Sequence, residues 1–282
     1  MTYQELCKSL ASRYPEREAK AIIRYQLEVG YGLSMADIIG GATENIPADE
    51  MGEKLRRLLN HEPVQYVMGK AEFGGRIFKV TPDVLIPRPE TFELCQWLEE
   101  EERGKRREER EFSILDIGTG SGCIAITLAL DIPHAKVEAW DISTEALTVA
   151  RENAQELQAN VNFKQVDALH SLPIQGGLGW SSIISNPPYI CQKEAAEMEQ
   201  HVLDHEPHEA LFVPDEDPLL FYKAIGQYAS NALANHGLLF FEINPLYANE
   251  ITKMLDGMGY SEIETRKDQF GKVRFVRAKK NP

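Results

Sequence analysis

The chain has 282 residues, of which 43% are hydrophobic and 26% are charged, the composition of an ordinary globular protein. No apolar run approaches the roughly 20 residues needed to span a bilayer. The N-terminus lacks the basic start and the apolar stretch of a signal peptide, so we expect a cytoplasmic protein without a membrane partner. The four cysteines are far apart in the sequence, which argues against disulfides and against a zinc site.

The net charge of −14 is unevenly distributed along the chain. Residues 1–70 carry nine Lys and Arg against ten Asp and Glu, whereas residues 71–282 carry 21 against 34. Nucleic-acid backbones are bound through Lys and Arg. The acidic C-terminal region is therefore a poor match for DNA or RNA, and we expect no nucleic-acid partner.

The predicted secondary structure changes twice within the first 90 residues. Residues 1–60 have apolar side chains at helical spacing, and Ser34 is placed to cap a short helix. Residues 73–80 predict two short strands joined by a glycine turn, after which two prolines stiffen the chain around Arg88. We predict three parts: a small N-terminal helical bundle domain over residues 1–70, a β-hairpin linker over 71–90 and a second domain over 91–282.

The second domain alternates between strand and helix patterns, which implies a mostly parallel sheet covered by helices on both faces. Seven strands are predicted, at residues 114–117, 135–140, 162–166, 181–185, 237–243, 262–266 and 273–277. The predicted helices cover residues 92–110, 123–130, 219–233 and 248–258, and a further one begins after Ser143 and ends near residue 157.

A glycine-rich loop joins the first of these strands to its helix. Its residues are Gly118, Thr119, Gly120, Ser121 and Gly122, directly after Asp116 and Ile117. Glycines at this place let the backbone approach a ligand closely. The spacing differs from that of dinucleotide sites, and no Gly-Lys-Ser/Thr follows as in a phosphate loop. A purely structural tight turn is the alternative.

Two acidic residues follow the next two predicted strands. Asp141 ends the second strand, where a carboxylate can accept hydrogen bonds from two ribose hydroxyls, and Asp167 ends the third. Either one could instead cap a helix. Together with the glycine loop they resemble the class I methyltransferases, which have a Rossmann-like fold and use S-adenosylmethionine. The resemblance implies that the loop holds the methionine part of the cofactor, Asp141 the ribose and Asp167 the adenine. Ala168 then stands in the adenine pocket, where some members have Trp.

The tetrapeptide Asn186-Pro187-Pro188-Tyr189 directly follows the fourth predicted strand. An amide or exocyclic amino nitrogen delocalises its lone pair and must pyramidalise before it attacks a methyl group. The Asn186 side-chain oxygen and the Pro187 carbonyl can accept hydrogen bonds from its two N–H groups. The Pro187-Pro188 pair is stiff, and Tyr189 can lie against the planar group and favour the developing positive charge. The chemistry requires no metal, and the tetrapeptide alone does not decide which nitrogen is methylated.

The whole chain resembles the HemK/PrmC family of peptide chain release factor glutamine N5-methyltransferases. The matching segments are residues 63–66, 85–91 (Leu-Ile-Pro-Arg-Pro-Glu-Thr), 116–122, 186–190, 206–211 and 268–274. The resemblance implies methyl transfer to the glutamine of the Gly-Gly-Gln motif of class I release factors. It also implies that Asn186 meets the cofactor and that residues 186–189 bind the glutamine. Phe92 stands where the family usually has Glu.

Several further hypotheses remain open on the sequence alone. The clamped position of Arg88 favours a role in substrate binding. The main alternative function is an adenine-N6 methyltransferase acting on nucleic acid, and a catalytically idle cofactor-binding adaptor is another. His201, Asp204, His205 and His208 have metal-like spacing, but Pro207 interrupts a helix there, so we expect a loop after Tyr189 and no metal. The acidic second domain also suggests that charge steers a basic protein partner.

Overall fold

The computed structural model describes residues 1–103, 112–170 and 179–282. The N-terminal part is helical, as the apolar spacing predicts, and its helices pack around a core that includes Leu6, Ile23 and Leu58. Thr2 and Ser34 each cap a helix and accept a hydrogen bond from the backbone three residues on. The helices are α1 (Tyr3–Leu10), α2 (Glu16–Tyr25) with a π-helical continuation (Gln26–Gly30), α3 (Met35–Ile39), α4 (Ala48–Leu59) and α5 (Val64–Met68), with a 3₁₀ turn at Ala42–Asn45.

A β-hairpin follows, as predicted, with β1 (Lys70–Phe73) paired to β2 (Arg76–Lys79). Several hydrogen bonds join the hairpin and its surroundings to the helices before it, among them one from the Lys70 Nζ atom to the Gly30 carbonyl. The Tyr66 hydroxyl donates to the Val84 carbonyl at 2.7 Å, and the Glu72 amide donates to the Tyr25 hydroxyl at 3.1 Å. The hairpin is therefore fastened to the helical part, while the domain borders at residues 70 and 90 stay a prediction.

The remaining elements match the predicted alternation, with shifts of a few residues at their ends. The predicted helix over 92–110 begins earlier, at Pro89, and its part beyond Arg103 lies outside the described residues. The elements are α6 (Pro89–Arg103), β3 (Phe112–Ile117), α7 (Cys123–Asp131), β4 (Ala135–Asp141), α8 (Thr144–Glu156), β5 (Val161–Gln165), β6 (Trp180–Ser185), β7 (Ile190–Cys191), α9 (Gln200–His205), α10 (His208–Leu211), β8 (Phe212–Val213), α11 (Leu220–Ala232), β9 (Leu233–Glu242), α12 (Ala248–Gly257), β10 (Tyr260–Lys267) and β11 (Val273–Lys280), with 3₁₀ turns at Gln192–Glu197 and Pro245–Tyr247.

In the described parts of the chain, seven strands form one sheet in the order β10-β11-β9-β6-β3-β4-β5. The pairings among β9, β6, β3, β4 and β5 are parallel. Only β11 opposes its two neighbours, β9 and β10. The prediction of an α/β fold with a mostly parallel seven-stranded sheet is thus confirmed.

Helices cover both faces of this sheet. On one face, Leu94, Trp97 and Ile126 of α6 and α7 pack against Ile114 and Phe240. On the other face, apolar residues of α11 and α12 pack against the strand side chains of that face, such as Leu115 of β3 and Ile183 of β6. The central strands are buried on both sides, which explains their nearly continuous apolar sequences.

The chain between Tyr189 and α11 is more ordered than the predicted loop. It contains a small parallel pairing of β7 with β8, and the short helices α9 and α10 lie between these strands. Pro207 separates the two helices, as its missing N–H and fixed φ require. Among the described residues, none of the helices has the length and apolarity to cross a membrane.

A single buried side chain connects the hairpin to the glycine-rich loop. Asn153 of α8 accepts a hydrogen bond from the Lys79 amide at 2.6 Å and donates to the Lys79 carbonyl at 3.0 Å. Its amide nitrogen also donates to the Ser121 carbonyl at 2.9 Å. Asn153 is 1% exposed, so neither backbone segment can replace these bonds with water.

We expect Asn153→Ala to lower the free energy of unfolding by about 2–4 kcal/mol, because buried backbone groups lose their partners. Urea denaturation followed by circular dichroism measures the change. Asn249→Ala, at an exposed position of α12, is the matched control and should change stability little. Equal stability of the two variants would contradict this role of Asn153.

Candidate functional site

The predicted site residues gather where the parallel strands end. The carboxyl ends of β3, β4, β6 and β9 lie at one edge of the sheet, because these strands are parallel neighbours. In open α/β sheets, ligands bind at this edge. The glycine-rich loop follows β3, Asp141 ends β4, and Asn186 follows β6.

The glycine-rich loop turns tightly against the end of β4. The amides of Gly118 and Thr119 both donate to the Trp140 carbonyl, at 2.8 and 3.0 Å. A Cβ atom added at Gly118 or Gly120 would meet no heavy atom of the described residues within 4 Å, so this side of the loop is open towards them. At Gly122, by contrast, an added Cβ would lie 2.9 Å from the Ile126 Cδ1 atom, so this glycine serves helix packing.

Asp141 holds the loop with one of its oxygens. Its Oδ2 atom accepts a hydrogen bond from the Gly120 amide at 2.8 Å, and its Oδ1 atom accepts one from the Ser143 amide at 2.9 Å. Burial raises the pKa of this carboxyl group. A carboxylate has about four acceptor positions, so Asp141 keeps acceptor capacity for a ligand beside these backbone hydrogen bonds.

Asp167 lies two residues beyond the end of β5, rather than at the end of the strand as predicted. It caps a turn by accepting hydrogen bonds from the amides of Leu169 at 2.7 Å and His170 at 3.3 Å. These backbone bonds, that of Leu169 first, lower the pKa of its carboxyl group. Ala168 is half-buried and packs against the apolar core on the α11 and α12 side of the sheet. Asp167 thus caps a turn rather than a described helix, and its role towards a ligand stays a prediction.

Asp116 lies beneath the loop and is fully buried. Its Oδ2 atom accepts a hydrogen bond from the Thr119 hydroxyl at 2.6 Å. Burial raises the pKa of Asp116 from its usual 3.8 to about 7. The protonation of this side chain in the folded protein therefore changes within the physiological range of pH.

The tetrapeptide is tied to the glycine-rich loop at its base. Ser185, the last residue of β6, donates a hydrogen bond to the Ile117 carbonyl at 2.6 Å. Asn186 follows Ser185, and Gly118 follows Ile117. One buried hydrogen bond thus fixes the distance between the two segments at the point where both leave the sheet.

Asn186 and Tyr189 meet a buried glutamate at the end of the neighbouring strand β9. The Asn186 Nδ2 atom donates to the Thr91 hydroxyl at 3.2 Å, and this hydroxyl donates to Glu242 Oε2 at 2.6 Å. The Tyr189 hydroxyl donates to Glu242 Oε1 at 3.0 Å. The Asn244 side chain donates to the Tyr189 carbonyl at 3.1 Å, so Tyr189 is held at both ends.

A cavity of about 180 Å³ opens beside the tetrapeptide. Of the predicted substrate-binding residues, Arg88, Asn186, Pro187 and Tyr189 line it, together with Glu242 and apolar side chains from residues 198–211. Pro188 does not belong to its lining. The structure therefore brings most of the predicted substrate site together around one opening.

Arg88 forms an ion pair with Glu206 at 2.5 Å. The Glu206 side chain is almost completely buried, and its other oxygen accepts a hydrogen bond from the Ile86 amide at 3.2 Å. A buried carboxylate that lost its cationic partner would be strongly destabilising. Arg88 therefore has a structural task, which is to hold segment 85–88 against α10, in addition to lining the cavity.

Three of the four residues with metal-like spacing contact different partners, and Asp204 accepts a hydrogen bond from the Gln200 side chain at 2.7 Å. The His201 Nδ1 atom lies 3.3 Å from Glu199, and the His208 Nε2 atom lies 2.9 Å from the Leu203 carbonyl. Within residues 1–103, 112–170 and 179–282, no group of three or more His, Cys, Asp or Glu side chains could hold a metal ion.

Sequence reasoning missed Glu242 and Asn244, and it quoted Thr91 only as part of a motif. The sequence offered one indication of Glu242, because this acidic residue directly follows the apolar run 238–241. Glu242 ends its strand as Asp141 ends β4. Phe92, which departs from the family pattern, packs edge-on against Phe73 with ring centroids 5.6 Å apart. Phe92 therefore serves the contact between α6 and the hairpin.

The curated relatives that the chain matches share one name, and a family model and a solved structure agree on a methyltransferase fold. A family model described as methyltransferase small domain matches residues 102–211. The chain is 45% identical to the release factor glutamine methyltransferase of Bacteroides thetaiotaomicron, with 96% of each chain covered. It is 36% identical to that of Flavobacterium psychrophilum, covering 97% of this chain and 96% of the relative. A solved methyltransferase structure from Pyrococcus furiosus has a TM-score of 0.54 at 17% identity, covering 82% of this chain and all of that one, which shows the fold alone.

The raised pKa of Asp116 can be tested through the pH dependence of protein stability. Because its folded-state pKa of about 7 lies above its usual 3.8, the folded protein binds the extra proton between these pH values. This group therefore lowers the free energy of unfolding as pH rises from about 4 to about 7. We expect the stability of Asp116→Asn, relative to wild type, to rise over this window by on the order of 1–4 kcal/mol.

Urea denaturation at several pH values measures this difference. Glu156→Gln, at the exposed end of α8, removes the same charge at the surface and is the matched control. A stability difference between Asp116→Asn and wild type that does not depend on pH would rule out the raised pKa.

Proposed function

Because the chain belongs to the release factor glutamine methyltransferase family, we propose that it methylates the side-chain amide nitrogen N5 of the glutamine in the Gly-Gly-Gln motif of class I peptide chain release factors. The methyl donor that we propose is S-adenosylmethionine. The observation that carries the proposal is the cavity that Asn186, Pro187 and Tyr189 line at the carboxyl edge of the sheet.

The residues of the glycine-rich loop fit this cofactor. Open space beside Gly118 and Gly120 allows a ligand to approach the backbone closely. We propose that residues 118–122 and Asn186 bind the methionine part, that Asp141 accepts hydrogen bonds from the ribose hydroxyls, and that Asp167 and Ala168 contact the adenine. S-adenosylmethionine supplies an already activated methyl group, so the chain itself mainly has to position the acceptor nitrogen.

The tetrapeptide suits an amide nitrogen. With its Nδ2 atom on Thr91, Asn186 can offer its Oδ1 atom to one N–H of the glutamine amide, and the Pro187 carbonyl can accept the other. These acceptors favour the pyramidal nitrogen and the positive charge that develops on it. The Tyr189 ring, held by Glu242 and Asn244, can lie against the planar amide. The nitrogen becomes strongly acidic once it is methylated, so no dedicated base is needed.

The size and charge of the site fit a protein side chain. The cavity of about 180 Å³ is smaller than the roughly 300–1,000 Å³ of typical small-molecule pockets. We propose that the helical residues 1–70 dock the release factor and that the acidic residues 71–282 steer a basic protein surface. An adenine-N6 methyltransferase is not favoured, since the relatives are named release factor glutamine methyltransferases.

The direct test incubates the protein with methyl-labelled S-adenosylmethionine and a purified class I release factor. We expect label in the wild-type release factor and none in a variant whose Gly-Gly-Gln glutamine is replaced by alanine. Equal labelling of the two would refute the glutamine assignment. Labelling of DNA or RNA instead would favour the adenine alternative.

Asn186→Ala tests the role of the tetrapeptide. We expect kcat to fall by at least about 100-fold, because both the acceptor oxygen and the orientation of the amide are lost. Affinity for S-adenosylmethionine should stay within about tenfold of wild type. Calorimetric titration of the cofactor beside the labelling assay separates the two effects, and unchanged kcat would remove Asn186 from the reaction.

Gly120→Ala tests the cofactor loop. Gly120 has a φ of +54°, and a methyl group there would project into the open space beside the loop. We expect affinity for S-adenosylmethionine to fall at least about tenfold, with a loss of only about 1–2 kcal/mol in the free energy of unfolding. Gly257→Ala is the control, since Gly257 lies exposed in α12 with open space around it, and its affinity should equal that of wild type.

A further inference from the structure

A chain of three side chains connects two residues of the cavity lining through the protein interior. Asn186 and Glu242 both line the cavity, Glu242 at the end of β9, and Thr91 in the first turn of α6 joins them from behind. Thr91 and Glu242 are 3% and 2% exposed. Their hydrogen bonds are therefore shielded from solvent. Which group donates at each step depends on the donors and acceptors of the three side chains and not on water.

The direction of these hydrogen bonds follows from the inventory of donors and acceptors. With Glu242 ionised, its carboxylate can only accept, so the Thr91 hydroxyl donates its single proton to Glu242 Oε2 at 2.6 Å. The hydroxyl oxygen can then only accept from Asn186, at 3.2 Å. The group of Asn186 that faces Thr91 must be the NH₂ group, and the side-chain oxygen is left for the cavity.

We propose that Thr91 and Glu242 are positioning residues that select one of the two orientations of the Asn186 amide, so that its oxygen accepts a hydrogen bond from the substrate nitrogen. This inference rests on the proposed methylation of an amide nitrogen. The flipped amide would present its NH₂ group to the N–H groups of the substrate. Two donors would then face each other, and the nitrogen lone pair would gain no assistance.

The surroundings of Glu242 support an acceptor at the end of this chain. The Tyr189 hydroxyl donates to its second oxygen at 3.0 Å, so both oxygens accept at once, as an ionised carboxylate can. Burial raises the pKa of Glu242, while the hydrogen bonds from Thr91 and Tyr189 and the positive charge of Arg274 act in the opposite direction. One carboxylate thereby fixes both the asparagine and the tyrosine of the tetrapeptide.

The test compares two substitutions of Thr91 in the full chain. Thr91→Val replaces the hydroxyl by a methyl group of similar size, whereas Thr91→Ser keeps the hydroxyl and removes a methyl group. We measure kcat and KM for methylation of the release factor, the Kd of S-adenosylmethionine and the melting temperature. We expect the kcat of Thr91→Val to fall at least about tenfold, which corresponds to an increase of about 1.4 kcal/mol in the activation free energy. The KM and the Kd should change less than about threefold. Thr91→Ser should retain kcat within about threefold of wild type.

A lower kcat in Thr91→Val together with a retained kcat in Thr91→Ser supports the proposal. If Thr91 had a purely structural role, kcat would fall only in proportion to the melting temperature of each variant. Equal kcat of Thr91→Val and wild type overturns the proposal, as does an equal loss in both variants. If Thr91→Val fails to fold, Thr91→Ala is judged by the same comparison with Thr91→Ser. A wild-type protein that methylates no release factor refutes the proposed function itself, and that outcome is distinct from every comparison between variants.

Discussion

The hydrogen bond from Ser185 to the Ile117 carbonyl joins the central strands β3 and β6 at the point where both leave the sheet. The glycine-rich loop begins one residue after Ile117, and the tetrapeptide begins one residue after Ser185. A loop that positions a donor group and a loop that positions an acceptor group must keep a constant separation for an in-line displacement. Attachment to neighbouring strands of a doubly covered sheet provides that constancy, because the strands cannot slide without breaking their ladder.

Much of the fold was predictable, because the parallel strands are short apolar runs and the helices between them have recognisable starts and ends. The positions of the glycine-rich loop and of Asp141 were also predictable, since the loop directly follows β3 and Asp141 ends β4. Glu242 and Thr91 were not predicted as site residues. Their importance depends on which strands become neighbours and on where α6 begins, and neither follows from local patterns. The helices α9 and α10 were missed because each spans fewer than two turns and is held by tertiary contacts such as that of Glu206 with Arg88.

The cavity wall opposite the tetrapeptide has a different origin from its floor. The floor consists of strand ends that the sheet fixes, whereas the wall comes from residues 198–211, which lie in the short helices α9 and α10 and directly before them. The ion pair of Arg88 with Glu206 attaches this wall to the segment before α6. The same segment leads within three residues to Thr91, so the wall and the support of Asn186 belong to one connected stretch of structure.

Asn153 has a consequence for the way this protein can be recombined with its relatives. Its side chain bonds to both backbone groups of Lys79 in the hairpin and to Ser121 in the glycine-rich loop. A chimaera that takes residues 1–80 from one relative and the remainder from another separates β2 from the helix that supplies this side chain. Such an exchange keeps the connection only if the incoming hairpin presents its backbone to α8 in the same register. The connection between the hairpin and the glycine-rich loop therefore depends on the geometry at one asparagine, wherever the sequence is cut.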